Sequence, residues 1–193
     1  ESWPQQWDVD YYGGSYLQPG HRILINGAGG GVGTLGVQIA RHYGVESSGV
    51  DSAEKLDMLS ELGYHHVIDY KREDFTRSAR HYDLILDTKT NRPLTDYARV
   101  LKPNGIYVTV GGNGKIVQVF LLGPLYGAFV KKKFRMVALK LNNDLEYMNR
   151  QYLDGNLRPV IDGPFELQDI RRAFEIFAAG RHKGKLVIEV HQS

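Results

Sequence analysis

The sequence of 193 residues predicts an α/β protein with a Rossmann-type, doubly wound parallel sheet. Short β-prone runs alternate with segments whose apolar residues recur at helical spacing, which is typical of right-handed crossovers between parallel strands. A cluster of glycines separates the first strand from the first helix. Ligands of such sheets bind beyond the carboxyl ends of the strands, where Gly30, Asp51, Thr88 and Gly111 are expected to lie.

The first predicted unit runs from residue 22 to residue 43. Residues 23–25, Ile-Leu-Ile, form a short apolar strand of the kind that is buried on both faces. The following helix begins on the glycines, so free backbone N–H groups and the positive end of the helix dipole favour a phosphate group there. The buried face of this helix is predicted to consist of Val32, Leu35, Gly36, Ile39, Ala40 and Tyr43.

Strands and helices then alternate as far as residue 110. The predicted strands are 47–50, 66–69, 82–87 and 106–110, and the predicted helices are 53–62, 73–79 and 94–101. Gly63 and the turn at 103–105, Pro-Asn-Gly, end two of these helices.

From residue 115 the pattern changes. The apolar stretch 116–130 is interpreted as buried core or a subunit interface, with the wall of a substrate pocket as the alternative. Its 15 residues, interrupted by Pro124, are too few for a membrane span. The other predicted elements are a strand at 134–138, a helix at 144–153, a strand at 157–161, an amphipathic helix bearing Leu167, Ile170, Phe174 and Phe177, and a strand at 186–190.

The composition excludes several classes of function. The formal net charge of +2, from 24 basic and 22 acidic side chains, argues against a nucleic-acid partner. The absence of cysteine rules out disulfides, thiolate nucleophiles and Cys-ligated zinc in these residues. Adjacent strand residues point to opposite faces, so His65 and His66 do not share a metal, and no metal site is predicted. The chain begins at Glu1 without a signal segment, so we expect a fragment or processed product and a cytoplasmic location.

The glycine cluster nearly matches the dinucleotide fingerprint G-x-G-x-x-G. Gly30 and Gly33 occupy its second and third glycine positions, and Ala28 occupies the first. The fingerprint requires an acidic residue about 20 positions further on, and Asp51 ends the next predicted strand. An ordinary tight turn is the structural alternative for the glycines. For Asp51 the alternative is a helix N-cap, with Glu54 reaching back to complete a capping box.

Four runs of the sequence resemble one known family in their order and spacing. They are LINGAGGGVGTLGVQIA at 24–40, GVDSAEKLDMLSELGYHHVIDY at 49–70, YDLILDT at 82–88 and LKPNGIYVTVGG at 101–112. They resemble the medium-chain dehydrogenase/reductase superfamily, specifically its zinc-free quinone oxidoreductase-like branch, from about residue 20 to residue 190. This branch usually has alanine at the position of Ala28.

The resemblance implies a division of the chain. Residues 1–20 are a linker remnant or arm, residues 21–155 a dinucleotide-binding Rossmann domain, and residues 156–193 a C-terminal segment of a catalytic domain. The N-terminal GroES-like domain of the family is absent from this sequence, so half of the substrate cleft is expected to be missing and the chain alone to turn over little substrate.

The resemblance also implies a function, the transfer of hydride from NADPH or NADH to a quinone, enone or similar activated carbonyl compound, without zinc. The expected partners are the dinucleotide, a small hydrophobic substrate and, as an option, a second copy of the chain. The expected cofactor contacts are Ala28, Gly30, Gly31, Val32, Gly33, Asp51, Ser52, Lys55, Tyr70, Thr88, Gly111 and Gly112. No catalytic residue is identified.

The choice of cofactor depends on opposing features. Asp51 suits a ribose 2′-hydroxyl and therefore NADH, whereas Ser52 and Lys55 match positions that hold a 2′-phosphate in the family. A mild preference for NADPH is expected. The structural alternatives are a solvated helix residue for Lys55, a strand-end aromatic for Tyr70, and a plain turn at residues 111–112.

Two other functions stay open at this point. A SAM-dependent methyltransferase-like domain also begins with a strand and a glycine-rich turn, although its first strand normally ends in an acid where Asn26 stands. A non-catalytic dinucleotide-binding module is the second alternative. Short-chain dehydrogenases require a Tyr-x-x-x-Lys motif, which this sequence lacks.

Overall fold

The computed structural model describes residues 17–112, 115–136 and 145–190. Most of the predicted arm at residues 1–20, and parts of the strand predicted at 134–138 and the helix at 144–153, lie outside these ranges. The strands are β1 (Arg22–Asn26), β2 (Glu46–Asp51), β3 (His66–Asp69), β4 (Tyr82–Asp87), β5 (Leu101–Thr109), β6 (Lys133–Met136), β7 (Ile161–Glu166) and β8 (Lys185–Glu189). The α-helices are α1 (Gly31–His42), α2 (Leu56–Leu62), α3 (Leu94–Val100), α4 (Ile116–Val130), α5 (Leu145–Leu153) and α6 (Ile170–Ala178).

Six of these strands form one parallel sheet in the order β3-β2-β1-β4-β5-β6. The order reverses between β1 and β4, so their carboxyl ends border the crevice in which ligands of doubly wound sheets bind. The predicted doubly wound architecture is confirmed. Strands β7 and β8 pair with each other as a separate two-stranded parallel sheet.

The core lies on both faces of the six-stranded sheet because alternate residues of β1 point in opposite directions. Leu24 packs in one cluster with Ile85, and Ile25 packs in the other with Val37. The first cluster also contains the rings of Tyr97 and Tyr107, whose centroids lie 4.5 Å apart and whose planes are tilted by 38°. The central strands are therefore covered on both sides, as their apolar sequences require.

The buried face of α1 differs from the predicted one. The buried residues are Gly33, Thr34, Val37, Gln38 and Ala40. Val32 is exposed, whereas Leu35, Gly36, Ile39 and Tyr43 are half-buried. Gln38 is buried because its amide exchanges hydrogen bonds of 2.9 Å with the backbone N–H and carbonyl of Arg158.

Three other boundaries were predicted wrongly. The strand predicted at 157–161 lies instead at Ile161–Glu166, and the helix predicted at 73–79 is a single 3-10 turn, Phe75–Arg77. Strand β5 begins directly after α3 and includes the turn predicted at 103–105, where Asn104 has a φ of +64°.

The apolar stretch 116–130 forms helix α4 but is not buried core. Val119, Gly123 and Gly127 are buried, the two glycines beside Phe134. The exposed residues are Val117, Phe120, Leu121, Leu122, Leu125 and Phe129. The apolar face predicted around α6 is exposed too, at Leu167, Ile170, Phe174 and Phe177. No helix in the described ranges is long and apolar enough to cross a membrane.

A glycine substitution in α1 tests how closely this helix packs on the turn before it. A Cβ at Gly33 would lie 2.3 Å from the carbonyl oxygen of Ala28, a backbone atom that cannot move aside alone. We expect Gly33→Ala to lower the free energy of unfolding by about 1–3 kcal/mol in urea titrations. Gly31→Ala is the control, because its Cβ would meet only the flexible end of the Lys185 side chain. Equal stability of the two variants would contradict this prediction.

Candidate functional site

The glycine turn between β1 and α1 is fastened to the neighbouring strand β2. The N–H groups of Gly27 and Ala28 both donate to the carbonyl of Val50, at 3.0 and 3.1 Å. Gly27 has a φ of +87°, which favours glycine, and Gly30 is the N-cap of α1 without any side-chain cap. The first turn of α1 contains no acidic residue. Its free N–H groups and positive dipole end are therefore available to an anion.

The buried Asp51 carboxylate holds the turn in place. Its Oδ2 accepts a hydrogen bond of 2.8 Å from the N–H of Gly29, and its Oδ1 accepts one of 2.9 Å from the N–H of Ser52. The capping box is therefore wrong. Ser52 is the N-cap of the 3-10 turn at Ala53–Lys55, with no side-chain cap bond, and the Asp51 carboxylate points to the glycine turn instead.

Lys55 is buried rather than solvated. Its Nζ donates a hydrogen bond of 2.8 Å to the carbonyl of Gly180 and lies 3.5 Å from Oδ1 of Asp51. A Cβ at Gly29 would lie 2.4 Å from Cδ of Lys55, so the methylene chain of the lysine covers the glycine turn. The interpretation of Lys55 as an ordinary solvated helix residue is wrong.

The α6–β8 loop, residues 179–184, packs on the glycine turn. Gly184 donates a hydrogen bond of 2.8 Å to the carbonyl of Gly29 and forms an isolated parallel bridge with Gly30. The next residue, Lys185, extends its side chain over Gly31. Sequence reasoning missed this contact. The glycines at 180 and 184, both with a φ of +66°, were its only local signal.

A cavity of about 440 Å³ opens at the carboxyl ends of β1 to β4. Its walls include Asp51, Ser52, Tyr70, Phe75, Ala179 and Gly180. Four cations line it, Lys71, Lys89, Arg92 and Arg181, against two acids, Asp51 and Glu54. The Asp51 carboxylate is already paired with Lys55, so the cavity carries a surplus of positive charge.

A second buried carboxylate, Asp87, organises the end of β4. Its Oδ1 accepts from the side-chain amide of Asn26 and from the backbone N–H groups of Lys89 and Thr90, at 2.9 to 3.0 Å. Its Oδ2 accepts a hydrogen bond of 2.8 Å from the Tyr107 hydroxyl. Burial, reinforced by the Asp87 charge, raises the pKa of Tyr107, which keeps this hydroxyl protonated as a donor.

The loops after β4 and β5 are joined by hydroxyl groups. Thr88 donates a hydrogen bond of 2.9 Å to the carbonyl of Asn26, and Thr90 donates one of 2.5 Å to the carbonyl of Gly111. Gly111 has open space where a Cβ would lie, whereas a Cβ at Gly112 would lie 2.3 Å from the carbonyl oxygen of Lys89. The space beside Gly111 is therefore open, whereas that beside Gly112 is filled by the loop after β4.

His182, in the α6–β8 loop, carries a buried polar atom without a hydrogen bond. Its Nδ1 has no partner among the residues that the structure describes, and its ring stacks on Phe177 at 4.9 Å between centroids. Burial, with the charges of Lys55 and Lys89, lowers the pKa of His182, so its ring is neutral at pH 7. A neutral ring with an unsatisfied nitrogen suits a ligand that offers a hydrogen bond.

The structure brings most of the predicted contact residues to one edge of the sheet. Ala28, Gly30, Gly31, Gly33, Asp51, Ser52 and Lys55 lie at the ends of β1 and β2, and Tyr70, Thr88, Gly111 and Gly112 follow β3, β4 and β5. Ala28 and Gly33 are buried against each other, and Val32 is exposed on the first turn of α1. The half-exposed Tyr70 lines the cavity, and its N–H donates to the carbonyl of Asp51 at 3.2 Å.

No group of three His, Cys, Asp or Glu side chains that could hold a metal occurs within the described ranges. The two adjacent histidines have separate partners. His65 Nδ1 lies 3.1 Å from the Ser47 hydroxyl, and His66 Nε2 lies 3.0 Å from a carboxylate oxygen of Glu46.

Comparison with known proteins identifies similar chains. Residues 62–188 match the family model described as zinc-binding dehydrogenase. The chain is 30% identical over 190 residues to the trans-enoyl reductase pgmF of Aspergillus terreus, covering 90% of this chain and 53% of that protein. It is 30% identical over 174 residues to the NADPH-dependent alkenal/one oxidoreductase of Arabidopsis thaliana, covering 88% of this chain and 40% of that protein.

The fold also has close counterparts among solved structures. The quinone oxidoreductase from Coxiella burnetii superposes with a TM-score of 0.78 at 26% identity, covering 91% of this chain and 54% of that one. The chain thus spans about half the length of the relatives it matches.

Substitution of Asp87 tests its role in the site. Asp87→Leu leaves four donors without their acceptor, three of them buried, and an unsatisfied buried donor costs about 1–3 kcal/mol. We therefore expect a loss of at least about 3 kcal/mol in the free energy of unfolding at pH 7. Asp87→Asn keeps one acceptor oxygen and offers an N–H to the Tyr107 hydroxyl, so its loss should be clearly smaller. A leucine variant as stable as the asparagine variant would show that these contacts contribute little.

Proposed function

The chain belongs to the zinc-binding dehydrogenase family, within the medium-chain dehydrogenase/reductase superfamily, and from this we propose that it binds NADPH or NADH as the cofactor-binding part of a reductase. The observation that carries the proposal is the glycine turn at the N-terminus of α1, which lies beside a cation-lined cavity of about 440 Å³. The family match favours this function over a methyltransferase.

We assign the adenosine half of the cofactor to this cavity. Asp51, Ser52 and Tyr70 line it at the ends of β2 and β3, where the ribose of a dinucleotide bound to a doubly wound sheet lies. The surplus cations supply attraction for phosphate groups. The volume is within the range of small-molecule sites, which supports the fit.

The pyrophosphate is assigned to the first turn of α1. The N–H groups at Gly31 and Val32 belong to this turn, which has no acidic residue. The Lys185 side chain, extended over Gly31, adds a cation at the same place. A lysine beside a helix N-terminus is repelled by the helix dipole, and an anion between the two removes this repulsion.

The nicotinamide end is assigned to the loops after β4 and β5. When bound there, the reduced nicotinamide supplies the hydride. Asp87, Thr88 and Thr90 fix these loops, so the open space beside Gly111 keeps one position relative to the cofactor.

We propose as the acceptor an activated double bond conjugated to a carbonyl group, or a quinone. The similar proteins are named for enoyl, alkenal/one and quinone reduction, and these substrates share an electrophilic carbon that accepts hydride. The division into a dinucleotide-binding domain at 21–155 and a segment of a catalytic domain at 156–193 is part of this proposal.

For the cofactor we propose dual use, with a mild preference for NADPH of about tenfold or less. Both Asp51 oxygens accept backbone N–H groups, and Oδ1 also faces Lys55, so its repulsion of a 2′-phosphate is partly neutralised. Lys71, Arg92 and Arg181 line the same cavity and attract the phosphate. A similar protein is named as NADPH-dependent.

Calorimetric titration with NADPH and NADH tests the proposal directly, and failure of both to bind at millimolar concentration would overturn it.

For the assigned pyrophosphate site we expect Gly31→Asp to weaken the binding of both dinucleotides at least about tenfold, because a carboxylate replaces the phosphate beside Lys185 and α1. The fold should be kept, since the new Cβ meets only the end of the lysine side chain. Gly31→Ala is the control for bulk without charge. Unchanged affinity in a folded Gly31→Asp variant would remove the turn from the site.

A further inference from the structure

The α6–β8 loop forms one wall of the cofactor cavity, and hydrogen bonds attach it to the rest of the site at both ends. Ala179, Gly180 and Arg181 line the cavity. The far end of the loop is fixed by the hydrogen bond from the N–H of Gly184 to the carbonyl of Gly29. Its near end is fixed by the hydrogen bond from Nζ of Lys55 to the carbonyl of Gly180.

Lys55 is placed to connect this loop to the cavity floor. Only 2% of the residue is exposed, and its ammonium group lies between the Gly180 carbonyl and the Asp51 carboxylate. Asp51 in turn holds the N–H of Gly29. One chain of polar contacts therefore runs from the α6–β8 loop through Lys55 and Asp51 to the glycine turn, across residues 125 positions apart in sequence.

The burial of the lysine argues against its acting as a free phosphate ligand. Removing a charged group from water costs several kcal/mol unless opposite charge and hydrogen bonds replace the water. Both replacements are present in Asp51 and Gly180, and Lys55 is not among the residues that line the cavity. Lys71 and Arg181 also line the cavity, and both are exposed rather than buried in such contacts.

We propose that Lys55 is a positioning residue that ties the α6–β8 loop to the Asp51 carboxylate and so closes the cofactor cavity, rather than the residue that recognises a 2′-phosphate. The link between the loop and Asp51 follows from the contacts of Lys55 with Gly180 and Asp51. Its effect on affinity rests on the proposed dinucleotide function.

The decisive variant is Lys55→Met, which keeps the methylene packing on Gly29 and removes the ammonium group. We expect faster amide hydrogen exchange at Gly184 and Lys185, whose N–H groups hold the far end of the loop. We also expect NADH and NADPH both to bind at least about fivefold more weakly. NADH has no 2′-phosphate, so its loss of affinity would not arise from a missing phosphate ligand.

Lys183→Met is the matched control. Lys183 lies in the same loop with an exposed side chain, and its backbone N–H, which the substitution keeps, donates to Asp162 at 2.9 Å. Exchange at Gly184 and Lys185 and the affinity for both dinucleotides should stay as in the parent chain. Lys55→Gln is the second variant, in case the methionine variant does not fold, because its shorter side chain keeps a donor for Gly180 without the charge.

The outcomes separate the two roles of Lys55. Loss of NADPH affinity with NADH affinity unchanged, in either Lys55 variant, would identify a 2′-phosphate ligand and overturn the proposal. Unchanged exchange in the α6–β8 loop would overturn it as well. If the parent chain bound neither dinucleotide, the proposed function would fail, while the exchange measurement would still decide whether Lys55 holds the loop.

Discussion

The Asp51 carboxylate connects the parts of the candidate site. It accepts from the glycine turn at Gly29 and from its own loop at Ser52, and it faces the ammonium group of Lys55. Through Lys55 it also holds Gly180, so three segments that are distant in sequence meet at one buried ion pair. A buried carboxylate with several donors is stable only when all of them are in place, so each contact supports the others.

The Asp87 carboxylate fixes the loop after β4 in the same way as the Asp51 carboxylate fixes the loop after β2. Both are buried, both end a strand of the parallel sheet, and both accept from the backbone of the loop that follows. In a parallel sheet the loops at the carboxyl ends have no ladder partners to fix them. The two carboxylates replace those partners. Asp87 also binds the end of β1 at Asn26, and Asp51 binds the glycine turn after it at Gly29.

The sequence alone predicts most of the doubly wound sheet, because the strands β1 to β4 are signalled by local apolar runs and the turns between them by local residues. It does not predict features that depend on distant residues. The predicted buried face of α1 is wrong in part because Gln38 is buried by its hydrogen bonds to the distant Arg158. The burial of Lys55 likewise depends on its hydrogen bond to Gly180. The apolar stretch that forms α4 and the apolar face of α6 were detected correctly as patterns. Periodicity shows that a face is apolar, but not that the rest of the described chain covers it.

The groups that fix the geometry of the site differ from the groups that attract an anion to it. The Asp51–Lys55 pair is almost fully buried and carries no net charge, so it fixes the positions of the turn and the loop without attracting an anion from a distance. Attraction comes from Lys71, Arg92, Arg181 and Lys185 and from the end of α1, which lie at or near the surface. Salt screens exposed charges over about 8–10 Å but screens a buried pair much less. Ionic strength should therefore change how strongly a phosphate group is drawn to this site, while the geometry that receives it stays the same.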